Sequence, residues 1–333
     1  MQPVLITLTR HILQSQAAHP GATGEFSALM AQIGLVGKMI AYDLRRAGLI
    51  NVLGTTGATN VQGETVTKLD AIANDVFLKV FQYSGLVSAL ASEEMDKPVQ
   101  LPENWPHGKY ILLFDPLDGS SNTDVNMPLG SIFSILRHEG TGLPSEQEMI
   151  CKGATQVAAG YLLYGSSTLL VFTAGHGVHG FTLDPGVGEY YRSHENIQIP
   201  AKGQVYAVNE GNAQKWPAGT RNFLAYLKVR DQATGRPYAA RYSGCLVADV
   251  HRVLLGGGLY LYPAEMDKPQ GKLRLLYEAN PLAMIVEQAG GKASTGTQRI
   301  LDVVPTTLHQ RVPLVIGSRD DVTLAEEFIR GVR

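Results

Sequence analysis

The segment at residues 115–122, with the sequence DPLDGSSN, carries side chains that suit a metal ion and a phosphate group. An apolar run at 110–114 precedes it and predicts a short buried strand. The proline after Asp115 favours an extended conformation, so this carboxylate leaves the strand end in a fixed direction. Asp118 comes three residues later, and Gly119 allows the backbone to turn sharply behind it. Two carboxylates are thereby directed to one turn.

Ser120, Ser121 and Asn122 complete this turn with hydroxyl groups, an amide and backbone N–H groups. Such groups commonly form anion-binding cradles. The combination predicts metal ions that hold a phosphate. An ordinary Asp-Pro/Asp-Gly surface turn is the alternative for this segment taken alone, and the remainder of the chain argues against it.

Three further carboxylates occupy positions that suit the same chemistry. Glu93 and Glu94 follow an apolar stretch, and adjacent strand residues point to opposite faces, so the two have different roles. One could ligate a metal ion while the other takes a second ion or acts as a base; a solvated strand edge is the alternative. Glu278 lies between apolar residues 275–277 and a helix start at Pro281, so we expect it to be semi-buried and to need a partner.

The donor set consists of oxygen atoms without nearby cysteine or histidine, which suits magnesium or manganese rather than zinc. Two such ions about 4 Å apart can clamp the attacking and leaving oxygens of an in-line phosphoryl displacement. Asp70 lies on a predicted helix after a mobile loop at 51–63, and Glu64 lies just before that helix. A change in the order of this loop could therefore bring both carboxylates to the site or withdraw them from it.

Helices and strands along the whole chain must position these groups, and the spacing of apolar residues predicts where these elements lie. Helices are predicted at 7–16 (with Leu8, Ile12 and Leu13 inward), 26–47, 68–83, 221–228, 246–255, from Pro281, and at 322–329. Strands are predicted at 85–92, 110–114, 131–136, 169–173, 178–183, 204–208, 258–262 and 312–316, whereas 157–164 fits either class and 145–153 reads as a connection. The mixture predicts a layered α/β or α+β architecture, with the best domain boundary near residue 200.

Composition narrows the class of protein. The 333 residues can form one large domain or two closely packed ones, and a net charge of −2 gives no reason to expect nucleic acid or an anionic membrane as a partner. The two cysteines, Cys151 and Cys245, are far apart in sequence, which argues against a disulfide scaffold or a zinc site. We find no signal peptide and no apolar run of about 18 residues, so we expect a cytoplasmic protein.

Over nearly its whole length the chain resembles class I fructose-1,6-bisphosphatase. Residues 115–121 are similar to the metal-binding turn of the wider inositol-monophosphatase-like superfamily. The segment 271–283, GKLRLLYEANPLA, resembles the signature that distinguishes the fructose bisphosphatases. Further likenesses extend from residues 8–10 to residues 315–317.

The resemblance implies a layered αβαβα sandwich of the sugar-phosphatase type, usually a homotetramer. Residues 1–200 would form a regulatory, AMP-binding half with most metal ligands, and residues 201–333 a sugar-phosphate-binding half. The implied reaction is hydrolysis of the 1-phosphate of fructose 1,6-bisphosphate in gluconeogenesis, with Mg²⁺ (Mn²⁺ possible) as cofactor and AMP as inhibitor. Additional activity on sedoheptulose 1,7-bisphosphate and a non-catalytic sensor are the alternatives; inositol monophosphate is disfavoured by the 272–283 segment.

The resemblance also assigns residues to the reaction. The metal ligands would be Glu93, Glu94, Asp115, Asp118, Glu278 and the Leu117 carbonyl. Glu94 and Asp70 would activate the attacking water with Glu64 beside them, where many relatives carry aspartate. The substrate would contact Asp118, Gly119, Ser120, Ser121, Asn209, Tyr242, Tyr262, Lys272 and, from a neighbouring subunit, Arg241. Asn212 stands where animal relatives have tyrosine, so one phosphate contact would be weaker or replaced.

An AMP site is implied at the start of the long helix. Its residues would be Thr23, Gly24, Glu25, Phe26, Ser27, Lys109, Tyr110 and Arg137. Backbone N–H groups at a helix N-terminus favour phosphate, and Ser27 keeps the hydroxyl of the commoner threonine. Simple helix capping is the alternative explanation for this segment. For the tyrosines of the substrate site the alternative is ordinary core packing, and for its lysine and arginine it is a solvated surface position.

Overall fold

The computed structural model describes residues 5–16, 23–59, 63, 65–99, 101–102, 104–140 and 142–333. Its helices are α1 (Leu8–Gln16), α2 (Glu25–Leu44), α3 (Lys68–Phe81), α4 (Glu146–Met149), α5 (Ala218–Lys228), α6 (Leu246–Gly256), α7 (Asn280–Gln288) and α8 (Arg319–Ile329). Its strands are β1 (Thr55–Thr59), β2 (Thr65–Thr67), β3 (Val87–Ser92), β4 (Tyr110–Asp118), β5 (Leu129–Arg137), β6 (Ala158–Tyr164), β7 (Thr168–Thr173), β8 (His179–Asp184), β9 (Glu189–His194), β10 (Val205–Ala207), β11 (Ala239–Ala240), β12 (Leu259–Tyr262), β13 (Leu273–Arg274), β14 (Lys292–Ser294), β15 (Arg311–Val312) and β16 (Leu314–Gly317). Within these described ranges no helix has the length and apolar character needed to cross a bilayer.

The larger sheet has seven strands in the order β3-β4-β5-β6-β7-β8-β9. β3 and β4 are parallel, and every later pair of neighbours is antiparallel. Because the carboxyl ends of parallel strands lie at the same edge of a sheet, the residues that follow β3 meet the end of β4. The backbone N–H of Glu93 accordingly donates to the carbonyl of Phe114 at 3.0 Å.

The smaller sheet has five strands in the order β11-β10-β12-β16-β14. β10 is parallel to both β11 and β12, whereas β16 runs antiparallel to β12 and β14. Two short antiparallel ladders, β1 with β2 and β13 with β15, lie outside the two sheets.

Helices cover both faces of each sheet and create three main apolar layers. One layer joins α1, α2 and α3 to the larger sheet, through residues such as Ile33, Phe77 and Phe133. The second packs α6 and α7 between the two sheets. The third joins α5 and α8 to the outer face of the smaller sheet. This order of helix, sheet, helix, sheet and helix is the predicted αβαβα sandwich, which the structure confirms.

Several local expectations differ from the structure. The predicted loop at 51–63 contains β1, whose β-branched threonines pair with β2 as an antiparallel ladder. Leu13 was expected to face inward, but 53% of it is exposed, because α1 buries the stripe formed by Leu8 and Ile12. The ambiguous segment 157–164 forms β6, a central strand of the larger sheet.

The acidic turn also begins differently from the expectation. β4 was predicted to end at residue 114, yet it continues to Asp118 with an irregular register between Asp115 and Asp118. Pro116 lacks an N–H group for the ladder, and its carbonyl instead accepts the Ser131 hydroxyl at 2.7 Å. The two aspartates therefore lie on a distorted strand end and not on a free turn.

Candidate active site

Asp115 lies at the centre of a group of buried carboxylates. Only 3% of it is exposed, and one of its oxygens accepts the Leu117 N–H at 3.0 Å. Burial is the main cause that raises the pKa of the Asp115 carboxyl well above its usual value; the negative charges of Glu93, Glu278, Asp118 and Glu94 raise it further. The other four carboxylates named from the sequence therefore all lie within electrostatic reach of Asp115.

Arg274 lies between two of these carboxylates. Its guanidinium is 3.1 Å from a Glu93 oxygen, and its backbone N–H donates to the Glu278 carboxylate. All three residues are buried. Glu278 belongs to a π-helical turn, Leu275–Ala279, that follows β13 directly and directs its carboxylate back toward Arg274. Sequence reasoning missed the role of Arg274, although the residue lies inside the 271–283 segment.

Asp118 is held by the first turn of α6. Its oxygens accept the Val247 N–H at 2.7 Å, the Leu246 N–H at 3.2 Å and the Cys245 thiol at 2.9 Å. These bonds lower the pKa of the Asp118 carboxyl, but desolvation by burial outweighs them and raises it overall. Burial, and next the charge of Asp118, raise the pKa of the Cys245 thiol, which therefore keeps its proton at neutral pH. The contact between Cys245 and Asp118 was not predicted.

The donor set fits a divalent cation in charge and in atom type. Four buried or half-buried carboxylates around Asp115 oppose the buried guanidinium of Arg274, and excess buried negative charge of this kind calls for a cation. Across the described ranges, however, no three His, Cys, Asp or Glu side chains are already arranged as a metal cage. The contacts explain this, because Arg274 engages Glu93 and Glu278 while α6 engages Asp118.

Asp70 takes part in the N-terminal capping box of α3. Its carboxylate accepts the Thr67 N–H at 2.8 Å, and its own N–H donates to the Thr67 hydroxyl at 3.1 Å, which forms a capping box. α3 packs against β4 through stacked rings of Phe77 and Phe114, 4.3 Å apart. Asp70 is thus fixed on a helix that contacts the strand of Asp115. Glu64, the third expected catalytic residue, lies outside the described residues.

The segment before β1 is attached to the acidic turn. Asp124, in the 3₁₀ turn Ser120–Val125, accepts the Gly54 N–H at 2.9 Å. The Gly54 carbonyl in turn accepts the Lys68 N–H at 3.0 Å, at the start of α3. Gly54 therefore contacts both the 3₁₀ turn Ser120–Val125 and the start of α3, the helix of Asp70.

A small cleft in the second half of the chain brings together three of the predicted sugar-phosphate residues. It is lined by Asn209, Tyr242 and Tyr262, together with Asn212 and the buried carboxylate of Glu265, which sequence reasoning missed. Lys272 and Arg241 do not line this cleft. The exposed Arg241 guanidinium donates to the Ala240 carbonyl at 2.8 Å.

The predicted nucleotide residues surround a separate cavity of about 580 Å³. Six of the eight line it: Thr23, Gly24, Phe26, Ser27, Tyr110 and Arg137. The other two, Glu25 and Lys109, form an ion pair at 3.2 Å. Among the residues that the structure describes, no side chain caps the start of α2, whose N-cap is Gly24, and the Ser27 hydroxyl donates to Gln16. His11, His176 and His179 also line the cavity and were not predicted.

Comparisons with known proteins give the same family for both halves of the chain. A family profile described as fructose-1-6-bisphosphatase, N-terminal domain, matches residues 6–195, and its C-terminal counterpart matches residues 199–330. Fructose-1,6-bisphosphatase class 1 of Chloroherpeton thalassium is 53% identical over 331 residues, with 99% of this chain and 95% of the relative covered. The protein of the same name from Trichormus variabilis is 54% identical over 326 residues, covering 97% of this chain and 92% of the relative.

Solved structures similar to this chain belong to the same family as the sequence relatives. The holo form of Leishmania major fructose-1,6-bisphosphatase has a TM-score of 0.92 at 44% identity, with 98% of this chain and 99% of that chain covered. The T-state of the same protein has a TM-score of 0.87 at 43% identity and the same coverage. Both the resemblance noted in the sequence and the layered fold are confirmed, and the chain belongs to the class I fructose-1,6-bisphosphatase family.

Proposed function

We propose that this protein hydrolyses the 1-phosphate of fructose 1,6-bisphosphate to fructose 6-phosphate and inorganic phosphate, as a step of gluconeogenesis in the cytoplasm. The observation that carries this function is the buried carboxylate group around Asp115, whose members raise the pKa of that residue. Such a group is costly to bury without cations and is typical of metal-dependent phosphoryl transfer. The family supports the choice of substrate.

Mg²⁺, with Mn²⁺ as a substitute, is the proposed cofactor, at two or more ions per subunit. The ligands would be Glu93, Glu94, Asp115, Asp118, Glu278 and the Leu117 carbonyl. When bound, the metal supplies positive charge that stabilises the phosphoryl oxygens. The Arg274 guanidinium, 3.1 Å from Glu93, would keep a positive charge beside these ligands.

The remaining residues bind the substrate and move a proton. The hydroxyl and N–H groups of Ser120 and Ser121, after Gly119, would cradle the 1-phosphate. Glu94 and Asp70 would take the proton from the attacking water, with Glu64 beside them. The 6-phosphate would be bound by Asn209, Tyr242, Tyr262, Lys272 and, from the neighbouring subunit of a homotetramer, Arg241. The exposure of Arg241 supports its use across a subunit contact.

Phosphate release from fructose 1,6-bisphosphate, with Mg²⁺ and with excess chelator, tests this function. We expect turnover that requires the metal and that Asp118→Ala abolishes. Asp184→Ala, in an exposed turn, is the matched control and should keep wild-type turnover. A non-catalytic sensor would give no metal-dependent phosphate release, and side-by-side kinetics with sedoheptulose 1,7-bisphosphate would show whether the protein has dual specificity.

Regulation by AMP at the cavity between α1, α2 and β4 belongs to the same proposal. The cavity has the N-terminus of a 20-residue helix at one wall and the cation Arg137 beside it, a combination that favours a phosphate monoester. Its apolar and aromatic wall, which includes Phe26 and Phe172, suits a purine base. We further propose residues 1–200 as a regulatory half and residues 201–333 as a sugar-phosphate half; the ranges of the two family profiles support this division.

A further inference from the structure

Two turns from opposite halves of the chain pack against each other at the candidate active site. One is residues 118–122, and the other is residues 243–247, which lead into α6. Gly119 has a φ of 84°, and a Cβ atom there would lie 2.8 Å from the Cβ of Cys245. The start of α6 therefore lies directly against the backbone of the acidic turn, with no room for a side chain between them.

Hydrogen bonds hold the second turn in place from both sides. The Asn122 amide donates to the Ser243 carbonyl at 3.0 Å and to the Pro128 carbonyl at 3.1 Å. From within α6, the buried Asp249 carboxylate accepts the Ser243 N–H at 3.1 and 3.0 Å. The turn that carries Cys245 therefore has a defined position relative to Asp118.

The Cys245 side chain is itself fixed in orientation. It is fully buried, and its sulfur accepts the Ala248 N–H at 3.4 Å while its thiol donates to Asp118 at 2.9 Å. The sulfur thus acts both as the N-cap of α6 and as a donor to the carboxylate. A side chain without a donor at this position would leave one of these two contacts unmade.

The bonds to Asp118 leave part of its carboxylate open. An ionised carboxylate has about four acceptor sites. Oδ2 accepts the thiol and the Val247 N–H, and Oδ1 accepts the Leu246 N–H. One acceptor site therefore remains, on Oδ1, and its direction is set by the three bonds already made.

We propose that Cys245 is a positioning residue for metal binding: its thiol, with the first N–H groups of α6, orients Asp118 and leaves the open site of Oδ1 for a bound metal ion. The proposal rests on the proposed metal-dependent function. Groups that orient a ligand in this way typically contribute about 10-fold or more to metal affinity. A thiol is a weak donor, so we expect an effect near 10-fold for Cys245.

Calorimetric titration of the metal-free protein with Mg²⁺, without substrate, tests the role of the thiol. Cys245→Ala removes the donor and should weaken Mg²⁺ binding about 10-fold. Cys245→Ser restores a donor and should bind Mg²⁺ within about twofold of wild type.

Two further variants separate positioning from helix capping. Cys245→Gly removes the donor but keeps a residue type that is acceptable at an N-cap, so it should lose Mg²⁺ affinity as Cys245→Ala does, while Tm falls because a fully buried side chain is removed. Cys151→Ala, at the half-buried second cysteine, should leave Mg²⁺ affinity unchanged. The proposal is overturned if Cys245→Ala and Cys245→Gly bind Mg²⁺ like wild type, or if Cys245→Ser is as weak as they are. Wild-type protein that binds no Mg²⁺ would instead contradict the proposed function.

Discussion

Arg274 is the residue on which the charge balance of the metal-free site depends. The residue is 5% exposed, and its guanidinium lies 3.1 Å from Glu93, in the same group of carboxylates as Asp115. Removing one partner of a buried ion pair typically costs about 3–5 kcal/mol, because the remaining charge is left uncompensated. Arg274→Met should therefore lower the free energy of unfolding by about 3 kcal/mol in the presence of a chelator, as measured by urea denaturation. Mg²⁺ should restore part of this loss.

A surface arginine provides the control for that experiment. Arg299 pairs with Glu287 at 2.6 Å and with Asp302 at 3.0 Å, but its side chain is 45% exposed. Exposed ion pairs contribute about 1 kcal/mol or less, so Arg299→Met should have a small effect that Mg²⁺ does not change. Equal losses in the two variants would contradict the role given to Arg274.

His251 should make stability depend on pH below neutrality. It accepts or donates a hydrogen bond with the Tyr161 hydroxyl at 2.8 Å, and burial, followed by the charge of His194, lowers its pKa to about 4. The unfolded chain, with the ordinary value of 6.5, binds the proton more readily. Stability is therefore full above pH 6.5 and falls as the pH drops toward 4, by about 2 kcal/mol at pH 5.

Replacing His251 by glutamine should remove this contribution. Urea denaturation at pH 7 and pH 5 should show a difference that is about 2 kcal/mol smaller in His251→Gln than in wild type. His11, whose pKa is also lowered to about 4, retains its own contribution in both proteins. An unchanged slope in His251→Gln would show that this histidine does not titrate differently in the folded and unfolded states.

Residue types and spacing identified the acidic turn at residues 115–122, but they did not identify the residues that contact its carboxylates and their neighbours. The Asp-Pro and Asp-Gly steps and the preceding apolar run are local, so Asp115 and Asp118 could be recognised. Cys245 contacts Asp118 across 127 positions, and such a contact has no local pattern. Arg274 could have been suspected as a cation beside a buried carboxylate, but its pairing with Glu93 depends on how β13 meets the end of β3.

At the scale of elements, long periodic segments were predictable and short or irregular ones were not. α2, α3 and α6 have the expected 3.6-residue pattern, and their predicted ends lie within a few residues of the observed ones. β9 and β14 were not predicted, because a strand at the edge of a sheet has a weak alternating pattern. β6 was ambiguous because a strand buried on both faces is apolar throughout, like a buried helix segment.

The contact of α2 with the larger sheet depends on a glycine. A Cβ atom at Gly37 would lie 2.5 Å from a methyl group of Leu162 and 2.5 Å from the Tyr190 hydroxyl, and both side chains are fully buried. Alanine is favoured over glycine in a helix by about 1 kcal/mol, but overpacking a core costs about 1–3 kcal/mol. Gly37→Ala should therefore destabilise the protein by about 1 kcal/mol and lower its Tm.

Gly48 offers a matched comparison just after the same helix. Its nearest neighbour would be 3.8 Å from an added Cβ, and the residue is exposed. Gly48→Ala should leave the Tm close to the wild-type value. If Gly37→Ala raised the Tm, helix propensity would outweigh packing, and α2 would have more space above the sheet than the structure shows.

At the scale of the whole molecule, α2 and β4 both begin at the cavity of about 580 Å³ and extend away from it. β4 has Tyr110 at the cavity and Asp118 at its other end. α2 begins at the cavity and, at about 1.5 Å per residue, extends about 30 Å toward the segment near Gly54. That segment is held by Asp124 of the 3₁₀ turn Ser120–Val125, which follows Asp118. A ligand that shifts α2 would therefore bias the attachment of the segment near Gly54.

AMP should consequently release this segment and lower activity together. Limited proteolysis should show more cleavage between Asn51 and Gly63 when AMP is present, and phosphate release should fall in parallel. Asp124→Ala removes the carboxylate that accepts the Gly54 N–H, so cleavage there should rise even without AMP. Arg137→Ala, which removes a cation from the cavity, should keep wild-type cleavage without AMP and lose the response to AMP. Unchanged activity at millimolar AMP would contradict the regulatory role of the cavity, and unchanged cleavage of Asp124→Ala would contradict the attachment through Asp124.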